Sequence, residues 1–176
     1  LGSTHKSFYG PQGGIIATND MELARRLEAN TLHKFVDNIH LNRVASLAVS
    51  LEEMRRFGTE YAPQVISNAK TLAESLAKEG LKIFSTDRRF TESHQVYIPM
   101  SAEDGIKVRD QLEKNRIIVD MAVRMGTNEV TRRGMKEAEM RLIAKLVRGA
   151  LDGEDARPKV ARLMHRFKRL KYTLDA

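Results

Sequence analysis

The residue types best suited to chemistry crowd into the first fourteen positions. Lys6 follows Ser3, Thr4 and His5, and Gly10-Pro11-Gln12-Gly13-Gly14 comes shortly after. A lysine that forms a Schiff base with an aldehyde cofactor must sit close to that cofactor's phosphate. Glycines expose backbone N–H groups that hold a phosphate without steric obstruction. Backbone dipoles, a cationic neighbour or burial would also lower the lysine pKa and favour the neutral, nucleophilic amine. Spacing alone also suits a surface lysine in a glycine-bearing turn. Metal chemistry has little support: the chain has no cysteine, and His33, His40 and His165 lack ligand spacing with partners. His94, opening a strand, reads as a packing or surface histidine.

These residues need elements to position them. Leu1 to Thr18 reads as a loop entering a short buried strand at Gly13–Ala17. Asn19, with Glu22 three residues on, forms a capping box for a helix bearing Met21, Leu23, Ala24 and Leu27, and a break follows at Asn30–His33. Val44, Leu47, Ala48, Leu51 and Met54 recur at helical steps, and Gly58 is placed to end that helix. Thr59 then caps a third helix, with Val65, Ile66, Ala69, Leu72, Ala73 and Leu76 on one face and Gly80 at its end. Strands are expected at 81–85, 94–100 and 117–123, and further helices at 102–114, 136–151 and about 158–169. The pattern predicts an α/β (α+β) arrangement in which helices cover a small mixed sheet.

Composition narrows the function classes. The chain has 176 residues, 41% hydrophobic and 30% charged, the balance of a globular protein. No apolar run approaches the ~20 residues that span a bilayer, and the expected compartment is cytoplasmic, which the missing cysteines suit. The formal charge of +7 comes largely from the tail, where seven basic residues and a single acid follow Ala156, leaving a body near +1. Such a tail reads as a solvated helix face or an oligomer contact rather than a nucleic-acid surface.

Four blocks of sequence resemble the serine hydroxymethyltransferase family. Thr4-His5-Lys6-Ser7 followed by Gly10-Pro11-Gln12-Gly13-Gly14 resembles its Thr-His-Lys signature and Gly-Pro-Arg-Gly-Gly loop, with only Phe8-Tyr9 between. Gln64-Val65 to Leu72-Ala73 resembles a family helix, Arg124-Met125-Gly126-Thr127 with Thr131 to Met135 its Arg-x-Gly-Thr segment, and Val160 to Tyr172 its closing helix. The resemblance implies the C-terminal part of an aspartate-aminotransferase-like, fold-type I enzyme that uses pyridoxal 5'-phosphate. Residues 1–18 would end the large cofactor-binding domain, 19–58 would be connecting helices, and 59–176 would form the small domain.

By the same resemblance Lys6 is the Schiff-base lysine, Ser3, Thr4, His5, Gly13 and Gly14 join it in binding cofactor, and Arg124 holds the substrate α-carboxylate. The implied reaction is reversible aldol cleavage of serine to glycine with one-carbon transfer, carried out by a homodimer. The family's preceding half, needed for a complete active site, lies outside these 176 residues. Three departures bear on the carrier: Gln12 stands where arginine is usual, Asn128-Glu129 replaces Pro-Ala, and only Asp120 to Val123 separates Ile117-Ile118-Val119 from Arg124, where folate-using relatives carry a long loop. Tetrahydrofolate is therefore a doubtful carrier. A folate-independent threonine aldolase or transaldolase, or a non-catalytic dimerising module, is the alternative.

Overall fold

The computed structural model describes residues 1–31, 34–85 and 90–174, which fall into two compact units, Leu1–Arg56 and Phe57–Ala176. The expected break at Asn30–His33 and His33 itself fall partly or wholly outside the described residues.

In the first unit, β1 (Gly2–Ser3) pairs antiparallel with β2 (Gly14–Ile15), so the ends of the lysine-bearing loop are drawn together. The second strand is shorter than expected and is exposed within its unit, as are Ile15 and Ile16. Helix α1 (Met21–Thr31) is capped by Asp20 rather than Asn19: Asp20 Oδ1 accepts from the backbone N–H of Glu22 at 2.9 Å and Leu23 at 3.0 Å. The cap thus shifts by one residue, with Asp20 satisfying two of the otherwise unpaired first-turn donors.

Helix α2 runs from Leu41 to Lys78, 38 residues, through both Gly58 and Pro63. Neither the expected stop at Gly58 nor a new cap at Thr59 occurs. An interior glycine costs about 1 kcal/mol and an interior proline about 3. Tyr61, Val65, Leu72 and Leu76 are all buried along this stretch. Each contributes about 1.5–3 kcal/mol, so tertiary packing overrides the two breakers. Gly80 does end the helix. At φ +85° it closes a Schellman turn, in which Gly80 N–H bonds Ala77 C=O and Leu81 N–H bonds Leu76 C=O, both at 3.0 Å.

The second unit carries the core, built from the Ala69–Leu76 stripe of α2 with Val96, Ile98, Leu112, Met135, Met140, Val147 and Leu163. Its described strands, β3 (Gln95–Tyr97) and β4 (Arg124–Gly126), are antiparallel, with Tyr97 opposite Arg124. Thus the small sheet is antiparallel in place of mixed, residues 81–85 form no strand, and the third strand lies just beyond 117–123. Phe84 N–H nevertheless bonds Tyr97 C=O at 2.8 Å, so the first expected strand survives as a single rung. Helix α3 (Ala102–Lys114) matches its expected bounds and is capped by Ser101, whose side chain accepts from Asp104 N–H. A short α4 (Asn128–Arg132), unforeseen, precedes α5 (Glu137–Leu151) and α6 (Arg157–Arg166). Among the tail bases, Arg157 pairs with Asp155, Lys159 with Glu154 and Arg166 with Glu139, as suits a solvated face. No helix of the described residues is long and apolar enough to cross a membrane.

Candidate active site

The loop between β1 and β2 is stapled by one residue. Thr4 is 2% exposed; its N–H donates to Gly13 C=O at 3.0 Å, its C=O accepts from Gly10 N–H at 2.6 Å, and its hydroxyl donates to Pro11 C=O at 2.6 Å. Three bonds from one buried residue fix both limbs of the loop. They also explain Gly10: a Cβ there would lie 2.7 Å from the Thr4 carbonyl oxygen, which is backbone and has no room to give. Beyond the staple, Tyr9 N–H bonds Lys6 C=O at 3.0 Å, so Lys6 opens a tight turn.

Ser3, His5, Lys6, Gly13 and Gly14 are all exposed on this loop and Thr4 is buried in it, so the six expected cofactor residues share one loop. His5 Nδ1 lies 3.2 Å from Gly13 C=O and 3.3 Å from Gly13 N. Depending on its tautomer, the ring donates to the carbonyl or accepts from the amide, and either bond ties it to the glycine limb. The arrangement fits a phosphorylated aldehyde: a primary amine and a bare glycine edge face solvent on one fixed loop, while the threonine hydroxyl is engaged in holding that loop.

The second constellation, in the other unit, centres on Arg124 at the start of β4. Its guanidinium donates from Nε to Asp120 Oδ2 at 2.7 Å, and Nη2 lies 2.6 Å from the same oxygen. Asp120 Oδ1 accepts from Arg124 N–H at 2.9 Å. Burial pushes the Asp120 carboxyl upward, but the Arg124 backbone and guanidinium bonds outweigh it and hold the group below its ordinary value. Arg124 borders a cleft of about 560 Å³ whose lining mixes the aromatic Phe84, Phe90 and Tyr97 with the polar Thr91, Glu92 and Gln95. Phe84 and Tyr97 lie 6.0 Å apart between ring centres. A cleft of this size and mixed lining suits a small polar ligand.

Sequence reasoning missed Asp120 as a site residue and read it only as part of a shortened connection. The signal available was its i,i+4 spacing to Arg124. Among the described residues no cluster of three or more metal-ligating side chains occurs.

Comparison with known proteins follows the same lines. The family model for serine hydroxymethyltransferase matches residues 2–147. Serine hydroxymethyltransferases of Sulfolobus acidocaldarius and Methanothermobacter thermautotrophicus are 41% and 40% identical over 97% and 99% of this chain. The chain spans 44% and 45% of those proteins, about half their length. Among solved structures, the L-threonine transaldolase of Pseudomonas fluorescens superposes with a TM-score of 0.83 at 27% identity, over 99% of this chain and 44% of that one. The fold is therefore part of a fold-type I architecture, as the motifs imply. A family-model match over residues 2–147, a span that includes the lysine loop and the Arg124 segment, shows that this chain belongs to the serine hydroxymethyltransferase family.

Proposed function

We propose that this chain is the C-terminal part of a pyridoxal-phosphate-dependent serine hydroxymethyltransferase that interconverts serine and glycine. The observation that supports this most is the Thr4-stapled loop that presents Lys6 beside Gly13 and Gly14, within a chain whose family match covers residues 2–147. In this reading residues 1–18 end the cofactor-binding domain, 19–58 connect, and 59–176 form the small domain of a cytoplasmic homodimer completed by the family's N-terminal half.

Each residue then has a definite task. Lys6 would supply the amine that holds the cofactor aldehyde, and the same amino group would be placed to hold a proton beside the substrate. Gly14 would offer its backbone N–H to the phosphate, joined by that of Gly13 when the His5 ring donates to the Gly13 carbonyl and leaves the amide free, while Ser3 lines the same loop. Thr4 keeps the loop rigid, so the amine and the glycine edge stay in register without ordering cost on binding. Arg124 grips the α-carboxylate, since its planar, permanently charged fork suits that group. The bound cofactor supplies an electron sink that stabilises negative charge at the substrate α-carbon.

A second reading keeps the same residues and changes the acceptor. The four-residue connection at Asp120–Val123 leaves no room for a long loop over a folate, and the likeness to a threonine transaldolase at a TM-score of 0.83 favours a folate-independent aldol reaction. The full-length dimer distinguishes the two. Serine cleavage that requires tetrahydrofolate supports the first reading, and threonine cleavage at an undiminished rate without folate supports the second. Failure to act on either amino acid, with or without folate, refutes both.

A further inference from the structure

Arg124 is held by one edge only. Asp120 Oδ2 takes the Nε and Nη2 hydrogens, at 2.7 and 2.6 Å, and Oδ1 takes the Arg124 backbone N–H, at 2.9 Å. The Arg124 side chain is 52% exposed, and its ion-pair partner among the described residues is Asp120, which leaves the Nη1 edge of the fork open to a ligand. The turn that sets this up is strained. Val123, a buried β-branched residue, sits at φ +51°, and its N–H bonds Asp120 C=O at 2.9 Å. Such a conformation persists only where its surroundings over-determine it. Here the surroundings are Asp120 on one side and α3 on the other, because a Cβ at Gly105 would overlap the Met121 carbonyl oxygen.

We propose that Asp120 is a positioning residue that clamps the Nε side of Arg124 and turns the Nη1 side toward substrate, so that the enzyme grips an α-carboxylate end-on. Asp120 thereby acts on amino-acid recognition without touching the reacting atoms. The proposal rests on the reading of Arg124 as the carboxylate-binding arginine. A fork fixed at one edge loses less side-chain freedom when a ligand docks at the other, which favours binding over a free-swinging arginine.

The test uses the full-length holoenzyme with Asp120→Ala, Asp120→Asn and Arg124→Ala. Binding of glycine and of methylamine, its carboxylate-free counterpart, is followed by calorimetry, and cofactor content and melting temperature report on folding. Asp120→Ala is expected to raise the glycine Kd about tenfold or more, and the KM for serine in parallel, with kcat changed far less. Methylamine affinity should stay within about twofold, because it never uses the fork. Asp120→Asn, which keeps the shape and loses the charge, should fall between and guards against a misfolded alanine variant.

Equal weakening of glycine and methylamine would mark a merely structural role and overturn the proposal. Unchanged glycine affinity in both Asp120 variants would do the same. Tighter glycine binding would also overturn it, by marking Asp120 as a competitor for the fork. If Arg124→Ala abolishes the preference for glycine while Asp120→Ala does not, the positioning role alone fails. If Arg124→Ala leaves the preference intact, the assignment of Arg124 fails, and the positioning role falls with it.

Discussion

Replacing Gly105 by alanine sets two effects of known size against each other. In a helix interior the change should stabilise by about 1 kcal/mol through backbone entropy. At Gly105, the fourth residue of α3, the added methyl would overlap the carbonyl oxygen of Met121, a backbone atom in the Asp120–Val123 turn. Overpacking against atoms that cannot swing away costs about 1–3 kcal/mol. The turn already carries Val123 in the left-handed region, so it has little freedom left to absorb the push. Because the turn cannot give, the cost falls at the upper end of its range and the balance is destabilisation by about 2 kcal/mol net. Gly149 in α5 provides the control. Its added methyl would meet Glu154 Oε2 at 2.9 Å, the far end of a flexible, exposed side chain whose surface pair with Lys159 can shift with it. Gly149→Ala should therefore be neutral or stabilising by up to about 1 kcal/mol. Guanidinium denaturation with unchanged slopes reads the two as midpoint shifts, downward for Gly105→Ala and zero or upward for Gly149→Ala. Gly105→Ala matching or exceeding the parent in stability would refute the close-approach argument and, with it, the buttressing of the Arg124 turn.

Two further outcomes follow from the buried polar contacts of the second unit. Asn68, fully buried, donates to Thr131 Oγ1 at 2.8 Å and Met135 C=O at 3.0 Å and accepts from Gln64 at 3.1 Å; Asn68→Ala should cost about 2–4 kcal/mol, measured by chemical denaturation, because it strands a buried carbonyl. The Glu137 carboxylate is held below its ordinary value chiefly by the Ser67 hydroxyl, with its own backbone N–H and Gln64 adding to this against some desolvation. A depressed folded-state pKa gives stability that is present above the unfolded carboxylate value and is lost as pH falls through the folded one. The parent should therefore exceed Glu137→Gln in melting temperature near neutral pH, and the gap should close as pH drops below about 4.

Legibility in the sequence followed the range of the interactions involved. Helices with local signals could be read closely: α3 keeps the bounds expected for it, and α2 stops at Gly80. The Gly58 stop failed because the burial of Tyr61 and Val65 is a tertiary fact that no local breaker announces. The third strand was misplaced for a similar reason. Ile117, Ile118 and Val119 have the apolar run of a strand, but the ladder to Gln95–Tyr97 is taken by Arg124–Gly126 after the strained turn at Val123. At the site, Lys6, Gly13 and Gly14 were legible as residue types. Thr4's work as a staple and Asp120's hold on Arg124 depend on distances that spacing does not encode.

The central claim is that Lys6 carries the cofactor. Borohydride reduction of the full-length holoenzyme, followed by peptide mass spectrometry, tests it directly. The prediction is a phosphopyridoxyl group on Lys6 and on no other lysine, with the label and the cofactor's absorbance lost together in Lys6→Ala. Label on a different lysine, or retained undiminished in Lys6→Ala, would contradict it.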